Sequence, residues 1–264
     1  MIPKIIHYCW FGGNPLPELA IKCIESWKKF CPEYEIIEWN ENNFDLNCCA
    51  YVKEACEAKK WAFVSDYVRL WAMVNYGGIY MDTDVEMVKP VDDYLKHEAF
   101  SGFESNHSVP TGIMACEKGF SLFLELLSDY DNRHFILENG SYDQTTNVIA
   151  ITKTLVKYGL VLNNNIQTVK GFTLYPFDFF CAKSIADGCL YITENTRTVH
   201  HFSGSWHTLT EKRIMKIEQW TNIKFGDRYG KKIARIIHFP LRVLAKFKEL
   251  GLKKTVLFVL KKLN

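Results

Sequence analysis

The chain has 264 residues and a formal net charge of +2, with 48% hydrophobic, 14% aromatic and 23% charged residues. This composition is typical of a globular protein and excludes intrinsic disorder and low-complexity sequence. No stretch reaches the roughly 18 uncharged apolar residues that a membrane-spanning helix needs. The charge is unevenly distributed, because residues 231–264 contain ten Lys or Arg and one acidic residue, which leaves residues 1–230 with a net charge of −7.

Hydrophobic periodicity predicts an α/β domain that starts with a strand–helix–strand unit. In chain order, the pattern predicts a strand at 4–9, a helix at 16–30, a strand at 34–39, helices at 49–59 and 61–76, strands at 79–81, 98–104 and near 112–116, and helices at 120–130 and 143–157. Short strands and loops are predicted for 160–202. We expect one catalytic domain over residues 1–225 and a basic amphipathic tail over 226–264.

The tail predicts two amphipathic helical pieces, separated at Pro240 and Gly251. Lysines on one face and Leu, Val and Phe on the other are typical of a helix that lies on an anionic membrane. The alternative is a helix that packs on the protein body or on a second subunit. Nucleic acid is not an expected partner, because the apolar stripe is continuous and the body is acidic.

The cysteine pattern and the N-terminal sequence predict the cellular compartment. The nine cysteines include no Cys-x-x-Cys pair, so neither a zinc site nor a disulfide framework is predicted. The first residues contain one Lys and an apolar run broken at His7, without the small-residue cleavage site of a signal peptide. We therefore expect a reduced, cytoplasmic protein, attached peripherally to the inner face of the cell membrane.

Asp82 and Asp84 follow the apolar triplet 79–81 directly, at the carboxyl end of a predicted buried strand. Open α/β sheets bind ligands at this end. Carboxylate oxygens suit Mn²⁺ or Mg²⁺, which in turn bind phosphate oxygens. An isolated Asp-x-Asp triplet is a weak signal, but the strand before it strengthens the interpretation as a metal site.

The triplet has two other interpretations. An EF-hand loop starting at Asp82 needs Gly at its sixth position and Glu at its twelfth, where this chain has Met87 and Asp93, so it is excluded. A phosphohydrolase of the haloacid dehalogenase type also places Asp-x-Asp after an apolar strand and would use Asp82 as its nucleophile. That type has its motif near the N-terminus and a second acidic pair well downstream, so it ranks second.

Two further clusters carry chemistry. Asp66 and Arg69 share one face of the helix that leads into the Asp-x-Asp strand, and an Arg there suits diphosphate oxygens. The alternative is a surface ion pair. The segment 200–206, with two His, two Ser and a Trp around a Gly, favours a loop that binds metal and covers a diphosphate. The alternative is a turn with a packed Trp.

Four ordered motifs carry a family resemblance: His7 to Gly13, Ser65 to Arg69, Tyr76 to Asp84, and His200 to Trp206. Over roughly residues 2–207 the chain resembles the Asp-x-Asp sugar-transferase family, which includes bacterial capsular polysaccharide glycosyltransferases and fungal initiating mannosyltransferases. The glucosylating domains of large clostridial toxins are more distant relatives. The resemblance implies a glycosyltransferase-A fold, a nucleotide-sugar donor, a divalent cation that is usually Mn²⁺, and retention of the anomeric configuration.

The resemblance also implies residue roles. Trp10 would stack on the nucleotide base, and Asp66 and Arg69 would contact the donor sugar and diphosphate. Tyr80 would line the donor site. Asp84 would bind the metal directly, and Asp82 would contact the ribose and reach the metal. His201 is the candidate for the last metal ligand, whose identity the resemblance leaves open, and His201, Ser205 and Trp206 would cover the diphosphate. Trp71 departs from the smaller or acidic residue expected at its position, which leaves the pocket wall behind Arg69 uncertain.

These observations predict a metal-dependent retaining glycosyltransferase that moves a hexose or N-acetylhexosamine from a UDP-sugar to a lipid-linked glycan acceptor in surface polysaccharide synthesis. GDP-mannose remains an alternative donor, because Trp10 would stack on either base. No residue stands out as a nucleophile, so a same-face substitution is favoured over double displacement. Residues 143–145 or 111–112 are candidates to hold the acceptor, although residues 141–146 are also interpreted as a capped helix start.

Overall fold

A computed structural model describes residues 1–105, 108–204 and 208–263; the side chains of 227 and 244–263 are outside the description. The described chain forms two compact units. The first comprises residues 1–183 and 190–202, and the second comprises residues 184–189 and 203–264. The predicted boundary at residue 225 separates a catalytic domain from a tail by their functions, and it stays a prediction because the two units are defined by packing.

The secondary structure follows the predicted order. The strands are β1 (Ile5–Cys9), β2 (Glu35–Trp39), β3 (Gly78–Met81), β4 (Val85–Met87), β5 (Ala99–Gly102), β6 (Ile113–Cys116), β7 (Gln167–Val169), β8 (Phe172–Tyr175) and β9 (Thr198–His200). The helices are α1 (Glu18–Phe30), α2 (Ala50–Glu57), α3 (Trp61–Tyr76), α4 (Ser121–Ser128), α5 (Asn147–Lys157), α6 (Phe177–Phe180) and α7 (Leu209–Leu263). The α/β class that we predicted is confirmed.

Seven strands form one mixed sheet in the order β2-β1-β3-β6-β5-β8-β7. β1 is parallel to β2 and β3, and β6 is antiparallel to both β3 and β5. Strands β3 and β5 therefore run in the same direction and end at the same edge of the sheet, while β6 begins there. This edge receives Asp82 after β3, Glu104 after β5, and Thr111 and Gly112 before β6.

A second, two-stranded sheet pairs β4 antiparallel with β9, with Val85 opposite His200. Because β4 starts directly after Asp84, this pairing brings a distant part of the chain beside the Asp-x-Asp triplet. The backbone amide of His201 donates a hydrogen bond to the carbonyl of Asp84 (2.9 Å) and extends the pairing by one residue.

His7 has a structural role within the first motif. It is completely buried in β1, with Nε2 2.9 Å from the carbonyl oxygen of Gly77, and Trp39 Nε1 donates to its Nδ1 (3.2 Å). These partners fix the tautomer with the proton on Nε2. His7 thus connects β1 to the turn before β3. There Gly78, at φ 98°, leaves no room for a side chain, because an added Cβ would lie 2.6 Å from the Ile5 carbonyl oxygen.

Helix α5 starts later than predicted. The pattern predicted a helix from residue 143, but α5 begins at Asn147. Asp143 instead accepts hydrogen bonds from the Arg133 side chain (2.7 Å) and the Thr145 amide (2.9 Å), which hold the preceding residues in a turn. An Asp that binds neighbouring backbone in this way competes with helix formation.

The second unit contains α7, which corrects the predicted tail. The prediction that the helix breaks at Pro240 and Gly251 is wrong, because α7 runs through both residues. Glu218 lies 3.0 Å from His238 and 3.4 Å from Arg242, on either side of Pro240. These contacts help to hold the chain helical across the proline, which costs about 3 kcal/mol inside a helix through its missing N–H and the steric clash of its ring.

The same contacts show that α7 doubles back on itself. A straight helix would separate residues 218 and 238 by about 30 Å, yet their side chains are in contact. The reversal lies at Gly226, which has φ 72° and no atom near the position of an added Cβ. Among the residues that the structure describes, no helix combines the length and apolar character needed to cross a bilayer.

Candidate active site

Asp82 occupies the sheet edge where β3 ends, and the start of β6 fixes its backbone. The amide of Asp82 donates to the carbonyl of Gly112 (2.8 Å). A side chain at residue 112 would collide with the site, because an added Cβ would lie 2.7 Å from the His200 ring and 3.4 Å from Asp82 Oδ2. Glycine at this position therefore allows the β3–β6 edge and the His200 ring to lie against each other.

Arg69 lies on one side of Asp82 and is almost completely buried. Its Nη2 is 3.3 Å from Asp82 Oδ1 and 3.5 Å from Asp66 Oδ1, so the two clusters that the sequence predicted separately lie together. Burial alone would lower the pKa of the guanidinium, but the negative charges of Asp82 and Asp66 raise it. Arg69 is therefore a fixed positive charge in the wall of the site.

The remaining Arg69 donors are also occupied. Nη1 donates to the carbonyl (2.9 Å) and hydroxyl (2.7 Å) of Thr111, and Nε donates to the Ser65 carbonyl (3.3 Å). All three guanidinium nitrogens thus have oxygen partners within the protein. A direct bond from Arg69 to a donor diphosphate, as the resemblance implied, requires that one of these partners be exchanged.

Tyr80 and Asp66 complete this side. The Tyr80 hydroxyl donates to Asp82 Oδ1 (3.0 Å), and the ring centroid lies 4.6 Å from the Arg69 guanidinium carbon. Asp66 Oδ2 accepts a hydrogen bond from the backbone amide of Asn147 (3.1 Å), the first residue of α5. Burial raises the pKa of Asp66, while Arg69 and the Asn147 amide counteract this effect.

His200 lies on the opposite side of Asp82, close to Asp84. Its Nε2 is 3.3 Å from Asp84 Oδ1, and ligand atoms of Asp82, Asp84 and His200 all lie within 4.8 Å of one another. Burial would lower the pKa of the imidazole, but the charge of Asp84 outweighs this and raises it well above its ordinary value. Two carboxylate oxygens and one imidazole nitrogen suit Mn²⁺. The donor set therefore fits the cation that the resemblance implied.

His201, the metal ligand named by the resemblance, lies elsewhere. Its Nε2 is 2.8 Å from Glu86 Oε2, and Lys22 contacts the same carboxylate at 3.0 Å. Successive side chains along an extended segment point to opposite sides, so only one of the two histidines faces Asp84. The structure brings His200, and not His201, to the Asp-x-Asp carboxylates.

Trp10 and Trp71 occupy different surroundings. Trp10 follows β1 and is half-buried, and its indole Nε1 donates to the Asn14 carbonyl (2.6 Å). The Trp71 ring packs edge-on against Trp39 (5.3 Å between centroids) and Phe44 (5.1 Å), so it contributes to the hydrophobic core. The predicted diphosphate cover at Ser205 and Trp206 lies outside the described residues.

Glu104 is a carboxyl group near the site that sequence reasoning missed. It stands in the loop after β5, and its Oε2 accepts a hydrogen bond from the Ser108 hydroxyl (3.0 Å). Burial raises its pKa, the charge of His200 lowers it, and the charge of Asp82 raises it, so both site residues act on Glu104 electrostatically. A single Glu in a loop carries no motif, and the shared sheet edge was the only available signal.

Part of the chain matches a known protein family. Residues 17–101 match the family described as "Glycosyltransferase sugar-binding region containing DXD motif". The match includes Asp66, Arg69, Tyr80, Asp82 and Asp84. The match confirms the predicted resemblance over residues 17–101, which contain two of the four motifs.

Curated relatives match about half of this chain. Inositol phosphoceramide mannosyltransferase 3 of Schizosaccharomyces pombe is 27% identical over 142 residues, which cover 51% of this chain and 40% of the relative. Mannosyl phosphorylinositol ceramide synthase CSH1 of Saccharomyces cerevisiae is 27% identical, covering 48% and 35%. Subversion of eukaryotic traffic protein A of Legionella pneumophila is 25% identical, covering 47% and 24%. The matched region spans less than half of each relative.

Two solved structures are similar at low identity. The PaToxG glycosyltransferase has a TM-score of 0.44 and 18% identity, with 59% of this chain and 68% of that chain covered. A glycosyltransferase involved in glycosylation of the major capsid of PBCV-1 has a TM-score of 0.42 and 12% identity, covering 76% and 95%.

Proposed function

We propose that the protein is a metal-dependent, retaining glycosyltransferase that moves a hexosyl group from a nucleoside diphosphate sugar to a glycan acceptor. The observation that supports this best is the cluster of Asp82, Asp84 and His200 at the carboxyl end of β3, with Arg69 buried beside it. The sugar-binding family match covers the same strand end.

We assign the cation to Asp82, Asp84 and His200, with His200 replacing the predicted His201. A bound Mn²⁺, or Mg²⁺, would neutralise negative charge on the departing nucleoside diphosphate. Asp84 and His200 would hold the cation, and Asp82 would connect it to the Arg69 wall. Arg69 and Tyr80 keep Asp82 Oδ1 in place, which leaves Oδ2 on the His200 side. An ordered site of this kind needs little reorganisation as charge develops.

The remaining donor contacts follow the predicted roles. Trp10 would stack on the base, Asp66 would contact the donor sugar, and Ser205 and Trp206 would cover the diphosphate and exclude water. A UDP-sugar is the predicted donor. The names of two relatives refer to mannosyl transfer. A donor screen should therefore include GDP-mannose together with UDP-glucose, UDP-galactose and UDP-N-acetylhexosamines.

We propose a lipid-linked saccharide as the acceptor, used in surface polysaccharide synthesis on the cytoplasmic face of the cell membrane. The basic residues of 231–264 support attachment to an anionic surface. The protein should co-sediment with anionic vesicles and be released as the salt concentration is raised.

The deciding experiment compares the wild-type protein with Asp84→Ala in a donor screen with Mn²⁺. Nucleotide release and transfer of the sugar with retained anomeric configuration are measured together. We expect Asp84→Ala to lower turnover by at least about 100-fold, equivalent to about 3 kcal/mol of transition-state stabilisation, with an unchanged far-ultraviolet circular dichroism spectrum. Undiminished turnover in the variant would refute the proposal.

The haloacid dehalogenase alternative makes a different prediction for the same protein. It requires a phosphorylated Asp82 and phosphate release without sugar transfer. Both Arg69 and the Tyr80 hydroxyl contact Asp82 Oδ1, and neither contact favours attack by that oxygen on phosphorus. A trapped aspartyl phosphate at residue 82 would nevertheless replace the transferase assignment.

A further inference from the structure

The reversal of α7 at Gly226 exposes a group of large apolar side chains. We call this group the hairpin tip and define it as Trp220, Ile223, Phe225 and Tyr229. Their exposed fractions are 51%, 59%, 47% and 60%. The Trp220 and Phe225 rings are in edge-to-face contact, with centroids 6.2 Å apart. The tip therefore presents a pair of exposed rings in contact, with two further exposed apolar side chains nearby in the sequence.

Other side chains of the hairpin are buried and are small or polar. Thr221 and Ala234 are completely buried, and His238 is 1% exposed. Gly230 is buried against Asn222, where an added Cβ would lie 2.6 Å from the Asn222 Cα. Small and polar residues are thus buried in this part of α7, whereas the four residues of the hairpin tip are exposed. Exposed aromatic surface is unfavourable in water, so we expect another molecule to cover these rings.

Basic residues surround the tip. Lys224, Arg228 and Lys232 are exposed, and the Arg228 guanidinium carbon lies 5.9 Å from the Tyr229 ring centroid. Across residues 220–232 the sequence has four Lys or Arg and one acidic residue, Asp227. Trp and Tyr mixed with Lys and Arg are typical of the boundary between lipid headgroups and acyl chains, where indole and phenol rings are half in water and half in hydrocarbon.

We propose that the hairpin tip inserts into the headgroup region of an anionic lipid bilayer. The aromatic rings would enter the boundary with the acyl chains, and Lys224, Arg228 and Lys232 would contact anionic headgroups. This inference refines the membrane attachment proposed above. It moves the principal contact from the C-terminal part of the tail to the turn at Gly226, and it includes Trp220, Ile223 and Phe225, which the sequence assigned to the catalytic domain.

Charge is the reason for choosing lipid over a protein partner. A protein interface usually has few lysines at its centre, whereas here three cationic side chains alternate with the apolar ones. An anionic membrane satisfies both components at once, because headgroups pair with the cations and acyl chains cover the rings.

The test uses the full-length protein and co-sedimentation with vesicles of phosphatidylcholine and phosphatidylglycerol, with pure phosphatidylcholine as the neutral reference. The tip variant carries Trp220→Ser, Phe225→Ser and Tyr229→Ser. The control variant carries Leu209→Ser and Ile236→Ser, which replace apolar side chains of 78% and 77% exposure outside the tip. We expect the tip variant to bind anionic vesicles at least tenfold more weakly and the control variant to remain within twofold of wild type.

A charge variant, Lys224→Ala with Arg228→Ala and Lys232→Ala, separates the two components. We expect it to bind about tenfold more weakly and to lose most of the salt dependence. Thermal unfolding followed by circular dichroism checks that each variant is folded. Donor turnover, measured without membranes, should be unchanged in the tip variant, so failure of the membrane inference is distinguishable from failure of the transferase proposal.

Two outcomes would overturn the inference. The first is a folded tip variant that binds anionic vesicles as tightly as wild type. The second is a wild-type protein that does not bind vesicles but forms an oligomer in light scattering. In that case the tip substitutions would dissociate the oligomer. That result would assign the tip to contact between protein chains.

Discussion

The two sides of the Asp82 carboxylate differ in the kind of partner that they contact. On the Arg69 side, Oδ1 contacts the guanidinium and the Tyr80 hydroxyl within a buried network that includes Thr111. On the other side, Asp84 and His200 surround a space where two carboxylates and an imidazole converge. The first side is an ion-pair network within the protein, whereas the second offers the oxygen and nitrogen donors that suit a divalent cation. One carboxylate thus belongs both to a structural network and to a ligand site.

Substitution of Arg69 should have the largest effect, because it disturbs both stability and function. Arg69→Met leaves Asp66 and Asp82 near each other without their counter-charge. Removal of one partner from a buried ion pair costs about 3 to 5 kcal/mol, and we expect a loss of that size in urea unfolding together with loss of turnover. Arg69→Lys restores the charge but not the planar geometry, so it should recover part of the stability. An Arg69→Met protein within 1 kcal/mol of wild type would show that this side is not structural.

Substitution of His200 should weaken metal binding and should also lower stability in the absence of metal, because it removes the imidazole from a buried pair with Asp84 (3.3 Å). Calorimetric titration with Mn²⁺ should give an affinity at least about 30-fold weaker for His200→Ala, since direct ligands matter at least as much as the outer partners that change affinity about 10- to 100-fold. His201→Ala is the matched control and should stay within threefold of wild type, because His201 pairs with Glu86. The opposite ranking would restore His201 as the ligand.

The pH dependence of Mn²⁺ binding should show that the cation competes with a proton on His200. Burial opposes protonation of His200, but Asp84 raises its pKa well above the ordinary value, so the imidazolium form persists to higher pH. The cation must displace that proton. Affinity should therefore rise with pH by about tenfold per pH unit below the His200 pKa and level off above it. Titrations in buffers of different ionisation enthalpy should report release of one proton, and His200→Ala should abolish this release.

Thr111→Val should have the smallest effect. It removes the hydroxyl that accepts from Arg69 Nη1 but keeps the backbone carbonyl that binds the same nitrogen. A hydrogen bond to a charged group contributes about 1.5 to 3 kcal/mol, and the retained carbonyl should limit the loss in urea unfolding to about 1 kcal/mol. A Thr111→Ser variant should behave as wild type. A loss for Ser without a loss for Val would instead attribute the effect to the methyl group.

Much of the site could be predicted because its signals are local. Asp82 and Asp84 directly follow a strand, and Asp66 and Arg69 are three residues apart on the helix before it, so short-range spacing was sufficient. The choice between His200 and His201 depended on the register of β4 with β9, which fixes the direction of each side chain. Neighbouring histidines give no sequence signal for that register.

The fold shows the same division between local and distant information. The α/β class and most helix positions followed from periodicity. The predicted break at Pro240 failed because Glu218, twenty or more residues earlier in the chain, binds His238 and Arg242 across it. The reversal at Gly226 was missed because a single glycine in a polar stretch is ordinary. Glu104 was missed because its relation to Asp82 depends on strand order in the sheet.

The pairing of β4 with β9 has a consequence for synthesis of the chain. Both aspartates leave the ribosome more than 100 residues before His200. A nascent chain that has not yet reached residue 200 holds both carboxylates but lacks the imidazole opposite them. Tight cation binding would thus begin only after nearly the whole first unit had been translated. Loading of the metal would then mark completion of the first unit.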